Sequence, residues 1–217
     1  MRLLKRYRIN IAYDGTEYAG WQIQPNGMTI QERLETALKN LTGEDSRIHG
    51  SGRTDQGVHA RKQTAHFDLE DGIAADSLQK GFNALLPSDI RVLNLWRVNR
   101  DFHARHSVKG KEYRYFIWNS EILPPFYVKY RTHIRKKLDA GKMRQVCGFL
   151  CGCRDFAAFS ANPSRNVETT VRNLTHLAVK KHGSEIVIKA CGDGFLYKMV
   201  RSIAGFMIRV GEGAVPP

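Results

Sequence analysis

Apolar and polar positions alternate near the start of the chain, with Tyr7, Ile9, Ile11 and Tyr13 set against Arg6, Arg8, Asn10 and Ala12. A period of two predicts a half-buried strand, and Asp14-Gly15 ends it. The period then lengthens. Ile30, Leu34, Ala37, Leu38 and Leu41 make one helical stripe, with Thr29 and Glu32 at capping-box spacing and Gly43 at the end. Short strands follow at 47–49 and 63–69. A helix from Asp76 carries Leu78, Phe82, Leu85 and Leu86 and is stopped by Pro87. Another strand covers 90–98. The order strand, helix, strand, strand, helix, strand is that of a split ferredoxin-like α+β unit.

A second unit begins after the loop 100–110. It has a strand over 112–118, a break at Pro124-Pro125 and a helix from about 135 to 150. Strands over 171–179 and 186–191 are joined by His182-Gly183, and a final helix runs over 195–210. This repeats the first unit without its last strand. The expected architecture is α+β: two ferredoxin-like (split βαβ) subdomains, residues 1–99 and 100–217. Their sheet is expected to be largely antiparallel with helices on one face. The last strand of the second is missing, as if the C-terminal end were truncated.

Charge changes the picture next. The 217 residues include 34 Lys and Arg against 21 Asp and Glu, a formal net charge of +13, which favours a polyanionic partner. The charge is clustered. Arg100, Arg105, Lys109, Lys111 and Arg114 meet only Asp101 and Glu112, with His103 and His106 interleaved; Lys129, Arg131, Arg135, Lys136, Lys137, Lys142 and Arg144 meet only Asp139. Either run alone reads as a solvated face. Together, with aromatics among them, they suggest a groove that tracks phosphates. No apolar run approaches the roughly 20 residues that span a bilayer. The charged opening Met1-Arg2-Leu3-Leu4-Lys5-Arg6 lacks the apolar stretch of a signal peptide, so no membrane is expected and the location is expected to be cytoplasmic.

Cys147, Cys151, Cys153 and Cys191 are too few and too clustered for a disulfide framework. Their spacing is not that of a zinc ribbon, and no metal is expected. Cys147 is expected on the buried face of a helix, with Cys151 and Cys153 as small residues in a turn.

Chemistry enters at Gly52-Arg53-Thr54-Asp55-Gln56-Gly57-Val58-His59-Ala60. As a local pattern this is an ordinary Asp-Gln-Gly turn between two strands. The whole string resembles the Gly-Arg-Thr-Asp-x-Gly-Val-His-Ala motif of the tRNA pseudouridine synthase A (TruA) family. Other segments resemble that family in the same order: Ile11-Ala12-Tyr13-Asp14-Gly15-Thr16, Gly20-Trp21-Gln22, Phe102-His103-Ala104-Arg105, Lys111-Glu112-Tyr113-Arg114-Tyr115 and Phe195-Leu196-Tyr197-Lys198-Met199-Val200-Arg201.

The resemblance implies an isomerase that converts uridine to pseudouridine at tRNA positions 38 to 40, in the anticodon stem-loop, working as a homodimer. It implies that Asp55 is the catalytic carboxylate, that Arg201 pairs with it and that Tyr113 contacts the target base. Arg53 and Arg105 are expected to bind the RNA. His59 is expected to orient the loop. Taken without the resemblance, Tyr113 shares a strand face with Tyr115 and Ile117 and would be core. Arg201 lies off the stripe of Met199, Val200, Ile203, Met207 and Val210 and would be a solvated charge. The implied reaction breaks the N1–C1′ bond, turns the uracil and rejoins it through C5. It is redox-neutral, so no cofactor is expected. Asp55 would either attack C1′ or remove the 2′ proton.

Overall fold

A computed structural model describes residues 4–70, 72–161 and 168–217; Met1, Arg2 and Leu3 of the basic N-terminus lie outside the described residues. The chain divides into two compact units, Met1–Val108 and Lys109–Pro217. In the first, β1 (Lys5–Tyr13), α1 (Ile30–Thr42), β2 (His49–Gly50), β3 (Ala60–Leu69), α2 (Ala75–Leu85) and β4 (Ile90–Val98) follow the expected order. The sheet order is β2-β3-β1-β4, antiparallel throughout. The alternation in β1 does what it predicts: Tyr7, Ile9, Ile11 and Tyr13 are buried in one core with Phe67 of β3, Leu34 and Leu38 of α1, and Leu78 and Phe82 of α2. Both helices therefore cover one face, and Arg8, Asn10, Thr64 and His66 belong to the other.

Helix α1 begins where Thr29 accepts a hydrogen bond from the Glu32 amide, and it ends at Gly43 in the left-handed conformation with φ 76°. In the second half of α2 the stripe departs from expectation, because Leu85 is exposed while Leu86, the extended cap residue, is buried.

The second unit contains β5 (Lys111–Asn119), β6 (Thr132–Ile134), α3 (Ala140–Leu150), β7 (Gly152–Asp155), β8 (Val171–Leu174), β9 (His176–His182), β10 (Glu185–Gly192) and α4 (Met199–Gly211). Its main sheet is ordered β6-β5-β10-β9, with β7 and β8 paired separately. The position beside the first strand, filled in the first unit by nine-residue β4, is taken here by three-residue β6, which runs parallel to β5.

The strands expected at 47–49 and 63–69 are observed at His49–Gly50 and Ala60–Leu69, and three further boundaries differ from the sequence expectation, each for a visible reason. The third helix starts at 140 rather than 135 because Asn119 pins the preceding segment. Its Nδ2 donates to Ile134 O and Lys136 O, both at 2.8 Å, and its Oδ1 accepts from Leu138 N. Asp139 then caps α3 through the Gly141 and Lys142 amides, and those bonds hold its pKa below the usual carboxylate value. The expected strand 171–179 is two strands, β8 pairing with β7 and β9 with β10. The last helix starts at Met199, because Lys198 takes a left-handed conformation, φ 57° and ψ 11°, that interrupts it.

Cys147 of α3 packs against the core as expected. Cys151 caps that helix and Cys153 lies exposed in β7 rather than in a turn.

Candidate active site

The loop between β2 and β3 carries Arg53, Asp55 and His59, and the first unit holds it at both ends and in the middle. Tyr13 of β1, buried, places its hydroxyl 2.8 Å from Thr54 Oγ1 and donates to Gln63 Oε1 at 3.0 Å. Gln63 of β3 passes the constraint on, its Nε2 donating to Gly52 O at 2.9 Å. The residues on either side of Arg53 are thereby tied to two neighbouring strands. Thr54 O accepts the Trp21 amide at 3.0 Å, and the loop closes on itself through Val58 N to Asp55 O.

Two glycines let the chain come this close. A Cβ on Gly20, whose φ is 106°, would stand 2.6 Å from Thr54 O, and one on Gly15 would overlap the Val58 carbonyl. His59 Nδ1 lies 3.1 Å from Gly15 N and 3.0 Å from Asp14 Oδ1. One ring nitrogen either accepts the amide or donates to the carboxylate; in both cases the imidazole fastens the loop's end to the turn after β1. The Asp55 side chain is half-buried and makes no hydrogen bond or ion pair among the described residues of its unit. The backbone around it is bound while its carboxylate stays outside that bonding.

Arg105 is exposed on a second loop of this unit, 99–107. That loop is strapped to the sheet by Arg6, which donates to Arg100 O at 2.6 Å and Phe102 O at 2.8 Å while making two 2.8 Å bonds to the Asp68 carboxylate. The Arg6 guanidinium holds Asp68 below the usual carboxylate range, chiefly through that hydrogen bonding.

Tyr113 and Arg201 belong to the second unit, Tyr113 near the start of β5 and Arg201 in the first turn of α4. Tyr113 of β5 meets the Phe195 ring edge-on at 5.1 Å, and Phe195 opens the segment leading into α4. Tyr113 is not core. Ile117 is fully buried and Tyr115 is packed beside it, but Tyr113 is only half-buried. Arg201 is exposed in the first turn of α4, as its place off the apolar stripe requires. That turn has no side-chain cap and opens on Lys198, the one non-glycine residue of positive φ among the described residues. Lys198 and Arg201 place two cations at this helix N-terminus, against the helix dipole, which makes this end receptive to an anion.

Several members of the basic runs are structural. Arg131 pairs with Glu185 at 2.6 Å and covers the Phe116 ring at 4.6 Å. Glu112 binds both Arg114 at 2.7 Å and Lys189 at 2.8 Å.

Sequence reasoning did not single out Tyr13, Gln63 or Thr54 as parts of the site. The alternation of β1 marks Tyr13 only as core, and its second role exists because β1 and β3 are neighbours in the sheet.

A family model described as tRNA pseudouridine synthase matches residues 9–107 and 147–217. The chain is 41% identical over 214 residues to tRNA pseudouridine synthase A 2 of Clostridium perfringens, covering 99% of this chain and 87% of the relative. It is 42% identical over 214 residues to tRNA pseudouridine synthase A of Brevibacillus brevis, with the same coverage. The protein of that name from Ruminiclostridium cellulolyticum is 44% identical over 211 residues, 97% of this chain and 86% of the relative.

Proposed function

Because the chain belongs to the tRNA pseudouridine synthase A family, isomerases that convert uridine to pseudouridine in tRNA, we propose that Asp55 is the carboxylate on which its catalysis turns. The observation that carries this is the loop itself: its backbone is fixed through Tyr13, Gln63 and Trp21, while the Asp55 carboxylate stays outside that bonding. A carboxylate so held meets the sugar without first paying to order itself.

The chemistry is balanced without an oxidant, reductant or metal. The N1–C1′ bond breaks and leaves its electron pair on N1, the uracil turns, C5 bonds to C1′, the C5 proton leaves to solvent and N1 takes up a proton in exchange, so the product is an isomer of the substrate. Asp55 acts either as nucleophile at C1′ or as base toward the 2′ proton. Arg201 is the second catalytic residue, a guanidinium at an anion-receptive helix end. Tyr113 stacks on the uracil, which has to leave its helical stack to react. Arg53 and Arg105 bind RNA phosphates and His59 orients the loop. We assign the target as uridines 38 to 40 of the anticodon stem-loop, the working form as a homodimer and the location as the cytoplasm.

Unmodified tRNA carrying tritium at uracil C5 tests the assignment. The protein is expected to release tritium and keep the base in the RNA, and Asp55→Ala is expected to release none while binding tRNA with affinity within about twofold of the parent. Release by the variant at the parent's rate would remove Asp55 from the mechanism. Free uracil would show glycosidic cleavage without rejoining.

A further inference from the structure

Four imidazoles form one continuous group on the face of the first sheet opposite α1 and α2. His49 of β2 is paired in register with His66 of β3, and their rings stack at 5.0 Å. His103, on the loop 99–107, meets His66 edge-on at 4.6 Å and lies 6.0 Å from His49. His106 is 4.4 Å from His103. No group of three His, Cys, Asp or Glu able to hold a metal ion occurs among the described residues.

His66 is the floor of this group. It is 2% exposed, and its Nδ1 accepts the Ala104 amide at 3.2 Å, which places its proton on Nε2. Burial first, then Arg6, His103 and His49, push its pKa down to about 4, with Asp68 opposing. It stays neutral and seats the loop. Above it His103 is half-buried, and His49, Arg105 and His106 are exposed.

The surroundings are short of anions. From β1 come Arg6 and Arg8, the latter in register opposite His66; from β3 comes Asp68, already bound to Arg6 at 2.8 Å; the loop adds Arg100, Asp101 and Arg105. Burial, then His106, His49, Arg6 and Arg105, depress the His103 pKa. His103, which burial and its cationic neighbours keep from charging, takes up a proton more readily when an anion enters among these rings. β2 runs directly into the loop that bears Asp55, so an anion held here lies along the chain segment leading to the catalytic residue.

We propose that His49, His103 and His106, together with Arg105, form a proton-linked binding site for a phosphodiester of the tRNA substrate. The proposal rests on tRNA being the substrate and is separable from the role of Asp55. An RNA phosphate supplies the missing negative charge, and each proton taken up strengthens its hold.

The test is tRNA affinity of the full chain at fixed salt. Between about pH 7.5 and about pH 5.5, still above the titration of His66, binding is expected to tighten about tenfold. His49→Gln/His106→Gln, both exposed positions, is expected to hold that gain to about twofold and to lower the salt slope at the acid end by about one. His106→Gln alone is expected to remove about half of the gain on a logarithmic scale. His176→Gln/His182→Gln, exposed histidines of the second unit, is expected to keep all of it. Equal pH gains in every protein, or none in the parent, would overturn the proposal. Asp55→Ala, measured alongside, is expected to lose pseudouridine formation and keep the proton linkage, so the two assignments fail independently.

Discussion

The two units lay out their sheets on one plan and use the first strand in opposite ways. In the first unit β1 is flanked along its length by β3 and β4, and its four alternating apolar side chains are all core. In the second unit β5 has β10 along one side, while within the unit β6 pairs only with Ile117, Trp118 and Asn119 on the other. The core follows the pairing. Ile117 is buried, and the aromatic residues Tyr113, Tyr115 and Phe116 toward the other end of the strand are only half-buried. An alternating pattern thus makes a structural strand where both edges are covered. Where one edge is covered over three residues, the same pattern leaves aromatic rings half-buried.

The largest effect that would break this comparison is in the cores. Tyr7, 1% exposed and stacked on Phe67 at 5.5 Å, and Tyr113 are both first-strand tyrosines. Tyr7→Ala is expected to destabilise the first unit by roughly 3–5 kcal/mol in denaturant unfolding. Tyr113→Ala is expected to cost the second under about 1.5 kcal/mol while abolishing most tritium release. Similar losses of stability would refute the distinction.

Acid separates the units next. The folded-state pKa of His66 is depressed from 6.5 to about 4, so its contribution is fully present above about pH 6.5 and is lost as pH falls through about 4. The first unit is expected to lose about 3 kcal/mol over that window. His66→Gln, which cannot titrate, is expected to flatten the pH dependence of its unfolding midpoint, and an unchanged dependence would exclude His66 as its source.

The smallest effect is at α4. Where α1 has the Thr29 cap, α4 opens on left-handed Lys198. Lys198→Gly is expected to stabilise the second unit by about 1 kcal/mol by relieving that conformation and to weaken tRNA binding by removing a cation. A destabilised variant would show that Lys198 carries packing rather than strain.

The sequence by itself determined the elements whose signals are local. β1 and α1 were legible because a period of two, a period of 3.6, a threonine cap and a terminal glycine act over a few residues. β4 was legible to its last residue for the same reason. The run around Asp55 was legible as a motif, since a motif is a string. Tertiary structure alone decided what long-range pairing decides. Thr132–Ile134 became a strand, and the helix expected from about 135 began only at 140, because β5 and Asn119 were there to bind the intervening chain. The stretch 171–179 broke in two because its halves found different partners. Tyr13 joined the loop that bears Asp55, and four histidines scattered from 49 to 106 came into ring contact, because neighbouring strands place residues distant in sequence within hydrogen-bond and ring-contact range. Local periodicity records which side of an element faces the core; what meets that element from the other side is fixed only when the strands pair.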